Sequence, residues 1–184
     1  MARTTVQSTV RGRIREFLNG ASWPGPVLEV GSLQIDDTSL RDLYNQRAEW
    51  LGIDLVEGPG VDMLCDITKC DDSLPYDYFG TVICSEVLEH IFDVSSALKQ
   101  MYRVTRPGGK ILVTTLFAFP EHQYPSDYWR FSESCLRQLL EDAGYQQVAT
   151  QYAGEIVVSL VDRPGVRAVR KKMPIHVFAE GVKL

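Results

Sequence analysis

The chain has 184 residues, with 45% apolar and 23% charged residues and a formal net charge of −5. That is enough chain to bury a core without staples, and it predicts one domain over 1–184. The acidic balance argues against a nucleic-acid backbone as main partner, and no apolar run approaches the ~20 residues of a membrane span.

Residues 5–19 carry Val6, Val10, Ile14 and Phe17 at helical spacing, and Gly20 follows. This predicts an amphipathic N-terminal helix within 1–20, despite a basic, Ser/Thr-bearing start that shares features with organelle transit peptides. After the Pro24-Gly25-Pro26 turn signal, Val27-Leu28-Glu29-Val30-Gly31 reads as a buried strand. Its glycine lets backbone rather than side chain face a ligand. Asp36, Asp37, Thr38 and Ser39 are N-cap candidates for a helical stripe of Leu40, Leu43 and Tyr44 running to Arg47. Residues 49–55 and 61–66 read as two further strands, each ending at an acid, Asp54 and Asp66. Gly58-Pro59-Gly60 is the turn between them.

Thr81 to Ser85 reads as the central strand, and Ser85-Glu86-Val87-Leu88-Glu89-His90 leaves it. Asp93 or Ser95 caps a helix bearing Val94, Ala97, Leu98, Met101 and Tyr102. Arg106-Pro107-Gly108-Gly109 stops that helix, and Lys110 to Phe117 is a fifth strand. Residues 118–131 are rich in proline and aromatics and have no period. Ser132 caps the next helix, with Phe131 and Leu136 placed as a hydrophobic staple and Gly144 at its end. Tyr145–Tyr152 and Ile175–Val182 read as strands. Residues 154–172 fit a short helix or a loop, with a basic cluster of Arg163, Arg167, Arg170, Lys171 and Lys172.

Strands alternating with helices predict an α/β fold: a Rossmann-like, doubly wound, mostly parallel seven-stranded sheet with an antiparallel last strand. Ligands of such sheets sit beyond the carboxyl ends of the strands. Gly31, Asp54, Asp66 and Ser85-Glu86 therefore converge. Asp54 follows Gly31 by 23 residues, close to the ~20 of a ribose-binding acid. Gly-x-Gly-x-x-Gly is absent, and Leu33, Asp36 and Asp37 oppose a pyrophosphate at that loop. An adenosine-type ligand without phosphate fits better, which disfavours a nicotinamide oxidoreductase.

With these pieces in order, the sequence resembles a class I S-adenosylmethionine-dependent methyltransferase of the small, single-domain type. Val27–Gly31, Gly52-Ile53-Asp54, Val61–Asp66, Ser85–His90 and Arg103–Lys110 match the family's successive motifs over roughly residues 25–145. The resemblance implies S-adenosyl-L-methionine as cofactor. It implies cofactor-binding roles for Glu29, Gly31, Ser32, Asp54, Leu55, Asp66, Ile67, Ser85 and Glu86. Leu33 and Ile35 stand where the family has glycines, so a non-catalytic cofactor- or partner-binding module with a degenerate glycine loop is the alternative.

Residues 118–131 form the expected acceptor side. His122 is the candidate general base for a hydroxyl, with Asp127 orienting it or acting as the base itself. Tyr124, Tyr128, Trp129, Arg130 and His90 are candidate substrate contacts. Glu89 reads as a structural residue, and no metal is expected, because His122 and Asp127 alone make a poor site. The predicted function is methyl transfer to a small-molecule acceptor, an oxygen of a sugar or glycan precursor, with neither nucleic acid nor membrane as partner. Four cysteines without metal-ligand spacing predict a reducing cytoplasm and no disulfides.

Overall fold

The computed structural model describes residues 3–35, 39–43, 49–70, 72–123, 125–160 and 169–184. Helix α1 (Arg3–Gly20) leads into β1 (Val27–Val30), the short α2 (Leu40–Leu43), β2 (Trp50–Asp54) and β3 (Met63–Leu64). Strand β4 (Phe79–Ser85) is followed by α3 (Val94–Val104), β5 (Thr105–Leu116), α4 (Glu133–Ala143) and β6 (Gln146–Ala153). The chain closes with β7 (Ile156–Leu160), β8 (Val169–Met173) and β9 (His176–Val182).

Seven strands form one sheet in the order β3-β2-β1-β4-β5-β9-β6. β4 is the middle strand, as its continuous burial requires. β9 runs antiparallel to both β5 and β6, which wedges the last strand between its two predecessors. Side chains alternate across β1 and so build two layers. Leu28 and Val30 join Val82, Cys84, Ile111 and Val113 against α3 and α4, where Ala97, Leu98, Met101, Leu136 and Leu140 are buried. Val27, Ile83, Leu112 and Phe178 pack on Ile14 and Leu18 of α1. Each buried Leu or Ile of this kind contributes roughly 1.5–3 kcal/mol.

The caps behave as their chemistry requires. Asp93 accepts from the Ser96 amide, Ser132 accepts from the Cys135 amide, and Gly144 ends α4 at φ 114°. The staple residues Phe131 and Leu136 are both buried.

Three expectations change. The third strand shrinks to two residues because its acids are diverted. Asp62 accepts from the Gly52 amide at 2.7 Å and pairs with Arg41, and Asp66 caps a 3-10 turn at Ile67–Lys69. The fifth strand begins at Thr105, before the Pro-Gly-Gly turn rather than after it. Residues 154–172, expected as helix or loop, contain the antiparallel β7–β8 hairpin, a separate two-stranded sheet. Asp36, Asp37, Thr38, Tyr44, Arg47, Tyr124, Arg163 and Arg167, and the side chains of Val6, Val10 and Leu43, lie outside the described residues.

Candidate active site at the carboxyl edge of the sheet

At the end of β1, Gly31 adopts φ 74°. A Cβ there would stand 2.2 Å from Val87 Cγ2, so the turn needs glycine for both conformation and space. The Gly31 and Ser32 amides both donate to the Ile53 carbonyl, at 2.9 and 3.1 Å. The loop is thereby pinned onto the end of β2. Asp54 completes the lock: its Oδ2 accepts from the Leu33 amide and its Oδ1 from the Val56 amide, both at 3.1 Å. A carboxylate has about four acceptor positions, so each oxygen keeps one free.

The missing glycines have a structural counterpart. Leu33 turns its side chain onto Gly58, where a Cβ would meet Leu33 Cδ1 at 2.4 Å. Gly60 lies against the Ser32 carbonyl and Gly52 against the Gly60 carbonyl, with Cβ distances of 2.5 and 2.3 Å. Close approach is thus supplied by glycines 52, 58 and 60 on the neighbouring segment. The sequence shows Gly58-Pro59-Gly60 only as a turn.

Glu29 is buried on the α1 face of β1, where its Oε2 accepts from the Trp50 indole at 3.2 Å. Burial pushes its pKa up to about 7, against the lowering effect of that hydrogen bond. Ser32 is buried and its hydroxyl has no partner. Leu55 and Leu64 are exposed beside Asp54. Asp66 Oδ1 takes both the amide and the hydroxyl of Thr68, at 3.0 and 2.7 Å, which leaves Oδ2 near Lys69. Those hydrogen bonds hold its carboxyl below the ordinary value in spite of partial burial. Ile67 is part of the core beneath this turn.

Ser85, at the end of β4, exchanges a hydrogen bond with Thr114 at 2.8 Å. Glu86 follows at φ 56°, a conformation uncommon outside glycine, and it aims its carboxylate back at the sheet. Glu86 Oε2 lies 3.0 Å from His176 Nδ1, off hydrogen-bond alignment, and Glu86 Oε1 has no partner. His176 is 2% exposed on β9, and nothing in the sequence marks it as a neighbour of Glu86.

Beyond β4 and β5 the arrangement is different in kind. Glu89 is fully buried; Oε2 accepts from the Thr115 hydroxyl at 2.8 Å and Oε1 has no partner. Burial, reinforced by the Glu86 charge, raises its pKa to about 8. His90 and His122 meet edge to face at 5.1 Å between centroids. His90 Nδ1 is 2.5 Å from the Ser126 carbonyl, and His122 Nδ1 is 3.0 Å from Asp127 Oδ2.

Asp127 has a 1% exposed side chain and accepts from Arg130 Nη1 and Nη2, at 2.5 and 2.7 Å, and from the His122 amide at 2.8 Å. The Arg130 guanidinium, more than any other neighbour, holds this carboxyl well below the usual range. Asp127 is therefore an orienting group, and the expectation that it serves as the base itself does not fit its surroundings. Arg130 donates further to the carbonyls of Phe119, Pro120 and Trp129. All five N–H donors of a guanidinium are then used, so Arg130 ties the loop together. Tyr128 and Trp129 are exposed and share exposed Phe92, with ring centroids 5.4 and 6.2 Å away. The Tyr128 amide bonds the Glu89 carbonyl at 2.8 Å, and the Trp129 indole bonds the Ile91 carbonyl at 3.0 Å.

A family model described as a methyltransferase domain matches residues 7–150. The ubiquinone biosynthesis O-methyltransferase of Pseudomonas putida is 38% identical over 45 residues, 24% of this chain and 19% of that protein. A ubiquinone/menaquinone biosynthesis C-methyltransferase from Burkholderia mallei is 30% identical over 125 residues, 61% of this chain and 47% of that protein. The chain thus spans between a fifth and a half of the length of these relatives. Among solved structures, a SAM-dependent methyltransferase from Archaeoglobus fulgidus superposes with a TM-score of 0.64 at 18% identity, covering 99% of this chain and 95% of that one. The 1,6-didemethyltoxoflavin-N1-methyltransferase of Burkholderia thailandensis superposes with a TM-score of 0.65 at 17% identity, covering 98% of this chain and 81% of that one. At these identities the structural likeness establishes the fold.

Proposed function

The chain belongs to the methyltransferase-domain family, with the class I Rossmann-like fold, and on that premise we propose that it moves a methyl group from S-adenosylmethionine to a hydroxyl of a small ring-bearing acceptor. The observation that carries the reading is Asp54, fixed by two backbone amides at the end of β2 with one acceptor position left on each oxygen. That is what two adjacent ribose hydroxyls require.

The other residues fit the same cofactor. Asp66 Oδ2 is available to an exocyclic amine, and exposed Leu55, Leu64 and Ile35 supply apolar flanks for a base. The unpartnered Glu86 Oε1 and Ser32 hydroxyl suit an ammonium and a carboxylate respectively. The acids at the strand ends suit a positive ligand and oppose a phosphate. Leu33, the basis for a degenerate loop, is turned away onto Gly58, which favours an enzyme over a non-catalytic module.

Bound S-adenosylmethionine supplies a sulfonium methyl that needs no further activation. The protein's tasks are to hold the acceptor in line, exclude water and handle one proton. His122 is held through Nδ1 by Asp127, so its Nε2 faces the acceptor side and can take the hydroxyl proton. Asp127 positions that ring. Tyr128, Trp129 and Phe92 offer faces to a ring, sugar or aromatic. The ubiquinone biosynthesis O-methyltransferase relative supports an oxygen acceptor, and the relative matched over a longer stretch is a C-methyltransferase of ubiquinone and menaquinone biosynthesis. The cysteines described are all free, in keeping with a reducing compartment such as the cytoplasm, and among the described residues no helix is long and apolar enough to cross a membrane.

Calorimetry with S-adenosylmethionine, S-adenosylhomocysteine and NAD tests the reading. Both sulfur nucleotides should bind and NAD should not; no binding of either would overturn it. A radiolabelled-methyl assay over catechols, hydroxybenzoates and sugar nucleotides then selects the acceptor class.

A further inference from the structure

Glu89 and His90 stand on the turn that leaves β4, and His122 stands on the loop that leaves β5. One ligand-capable atom from each lies within 4.8 Å of the others. The hydrogen bonds around them decide which atoms are left free to ligate. His90 Nδ1 is engaged by the Ser126 carbonyl and His122 Nδ1 by the Asp127 carboxylate, so each ring presents Nε2. Glu89 Oε2 is taken by Thr115, and Oε1 is buried without a partner.

Two imidazole acceptors therefore face Glu89 Oε1, which carries the proton of the neutral acid or, once ionised, a third set of lone pairs. Once ionised, that oxygen is unsatisfied in the core, and the neighbouring imidazole lone pairs add to the cost. A cation removes that cost. The hydrogen bonds to the far nitrogens are the second-shell pattern that orients metal-binding imidazoles: one to a backbone carbonyl, one to a carboxylate. Ligands about 2.1 Å from an ion stand roughly 3–3.5 Å apart, so a cluster spread over 4.8 Å has to close by up to about 1.3–1.8 Å. His122 can make that movement, since its side chain is 40% exposed.

We propose that Glu89 Oε1, His90 Nε2 and His122 Nε2 bind one divalent transition-metal ion of the zinc, manganese or cobalt class. Two imidazoles and one carboxylate favour such an ion over calcium or magnesium. Three protein ligands leave coordination positions open, as in catalytic rather than structural sites. This revises the expectation that the chain holds no metal, which considered His122 and Asp127 as the ligand pair. Asp127 is not a ligand but the group that orients one.

The ion's task rests on the methyl-transfer reading; its binding does not. An acceptor hydroxyl in an open position loses its proton to solvent more readily, because the ion stabilises the oxyanion. That oxygen then forms the new O–C bond as the S–C bond breaks, its electron pair going to sulfur. With the ion bound, His122 acts as a ligand; as a free base it serves only the metal-free protein.

The test uses the full chain, without an affinity tag and dialysed against EDTA, titrated with Co2+ and followed by visible d–d absorption and calorimetry. One Co2+ per chain should bind, and Zn2+ should displace it. Glu89→Gln and His122→Ala should each weaken binding by at least about 100-fold, whereas exposed Cys135→Ser should match the parent. Because Glu89 is buried, His122→Ala decides the matter if Glu89→Gln fails to fold. Co2+ binding unchanged in His122→Ala, or no d–d band in the parent, would overturn the site. S-adenosylhomocysteine binding should be unaffected by His122→Ala. Loss of nucleotide binding in the parent, with Co2+ still bound, would sink the methyl-transfer reading and leave the metal site standing.

Discussion

The two halves of the carboxyl edge are built on different principles. Under β1, β2 and β3 the site is mostly backbone: amides of residues 31–33 and 56 converge on Ile53 and Asp54, and glycines permit close approach. Beyond β4 and β5 it is mostly side chain, with Arg130 and Asp127 as the hub that holds a loop without regular structure. The first half suits a ligand whose shape never varies. The second is held at a few side-chain points and is free to differ in acceptor chemistry without disturbing the first.

Substitutions should separate the halves. The largest effect is expected from Asp54→Ala. On the proposed ribose role it removes two charged hydrogen bonds, each worth about 1.5–3 kcal/mol, and should weaken S-adenosylhomocysteine binding by more than about 100-fold in calorimetry. Unchanged binding would show that the nucleotide does not use this half as described.

Arg130→Ala acts on the other half. It leaves the buried Asp127 carboxylate without its principal partner, which typically costs about 3–5 kcal/mol. Part of this is relieved because Arg130 is not fully buried, so about 3 kcal/mol is expected in urea unfolding, with methyl transfer lost. Nucleotide affinity in the folded variant should stay within about twofold; a large change would mean that the halves are coupled.

Glu29→Gln tests the nucleotide half through pH. The Glu29 pKa is raised in the fold from an ordinary 4.5 to about 7, so the folded chain holds its proton more tightly than the unfolded one. Stability is then fully present below about 4.5 and falls as pH rises toward about 7, by at most about 1.4 kcal/mol per unit. Glu29→Gln should flatten that window in thermal melts taken at successive pH values. A slope equal to the parent's would show that Glu29 does not cause it.

The smallest effect is expected from Tyr128→Ala. A stacking partner contributes roughly 0.5–1.5 kcal/mol, so KM for the acceptor should rise about three- to tenfold with nucleotide affinity unchanged. An unaltered KM would move the acceptor off this aromatic face.

The strand ends of the proposed nucleotide half were legible because their signals are local. Gly31 ends an apolar run, and Asp54 and Asp66 end the next two, so a strand reading alone brings them to one edge. Leu33 misled only because glycines 58 and 60, which accommodate it, act across a gap in sequence. The acceptor half was legible in composition but not in role. Arg130 and Asp127 read in the sequence as substrate and proton groups, and only the structure shows that they pair with each other. Glu89 reads as a structural residue, and its burial against Thr115, 26 residues away, appears only in the fold. The β7–β8 hairpin was missed because a basic strand such as Val169–Met173 has no apolar face to announce it.

By itself the sequence determined the strand order of events along the chain: which segments are buried, where each ends, and which acids stand at those ends. These follow from hydrophobic period and turn chemistry, which act over a few residues. Only the tertiary structure decided which oxygens and nitrogens are already taken. It closed Arg130 into its loop, brought Glu89, His90 and His122 together with Glu89 Oε1 unpartnered, and set His176 beside Glu86. Hydrogen-bond capacity is used up by partners distant in sequence, so what remains for a ligand appears only once the chain is folded.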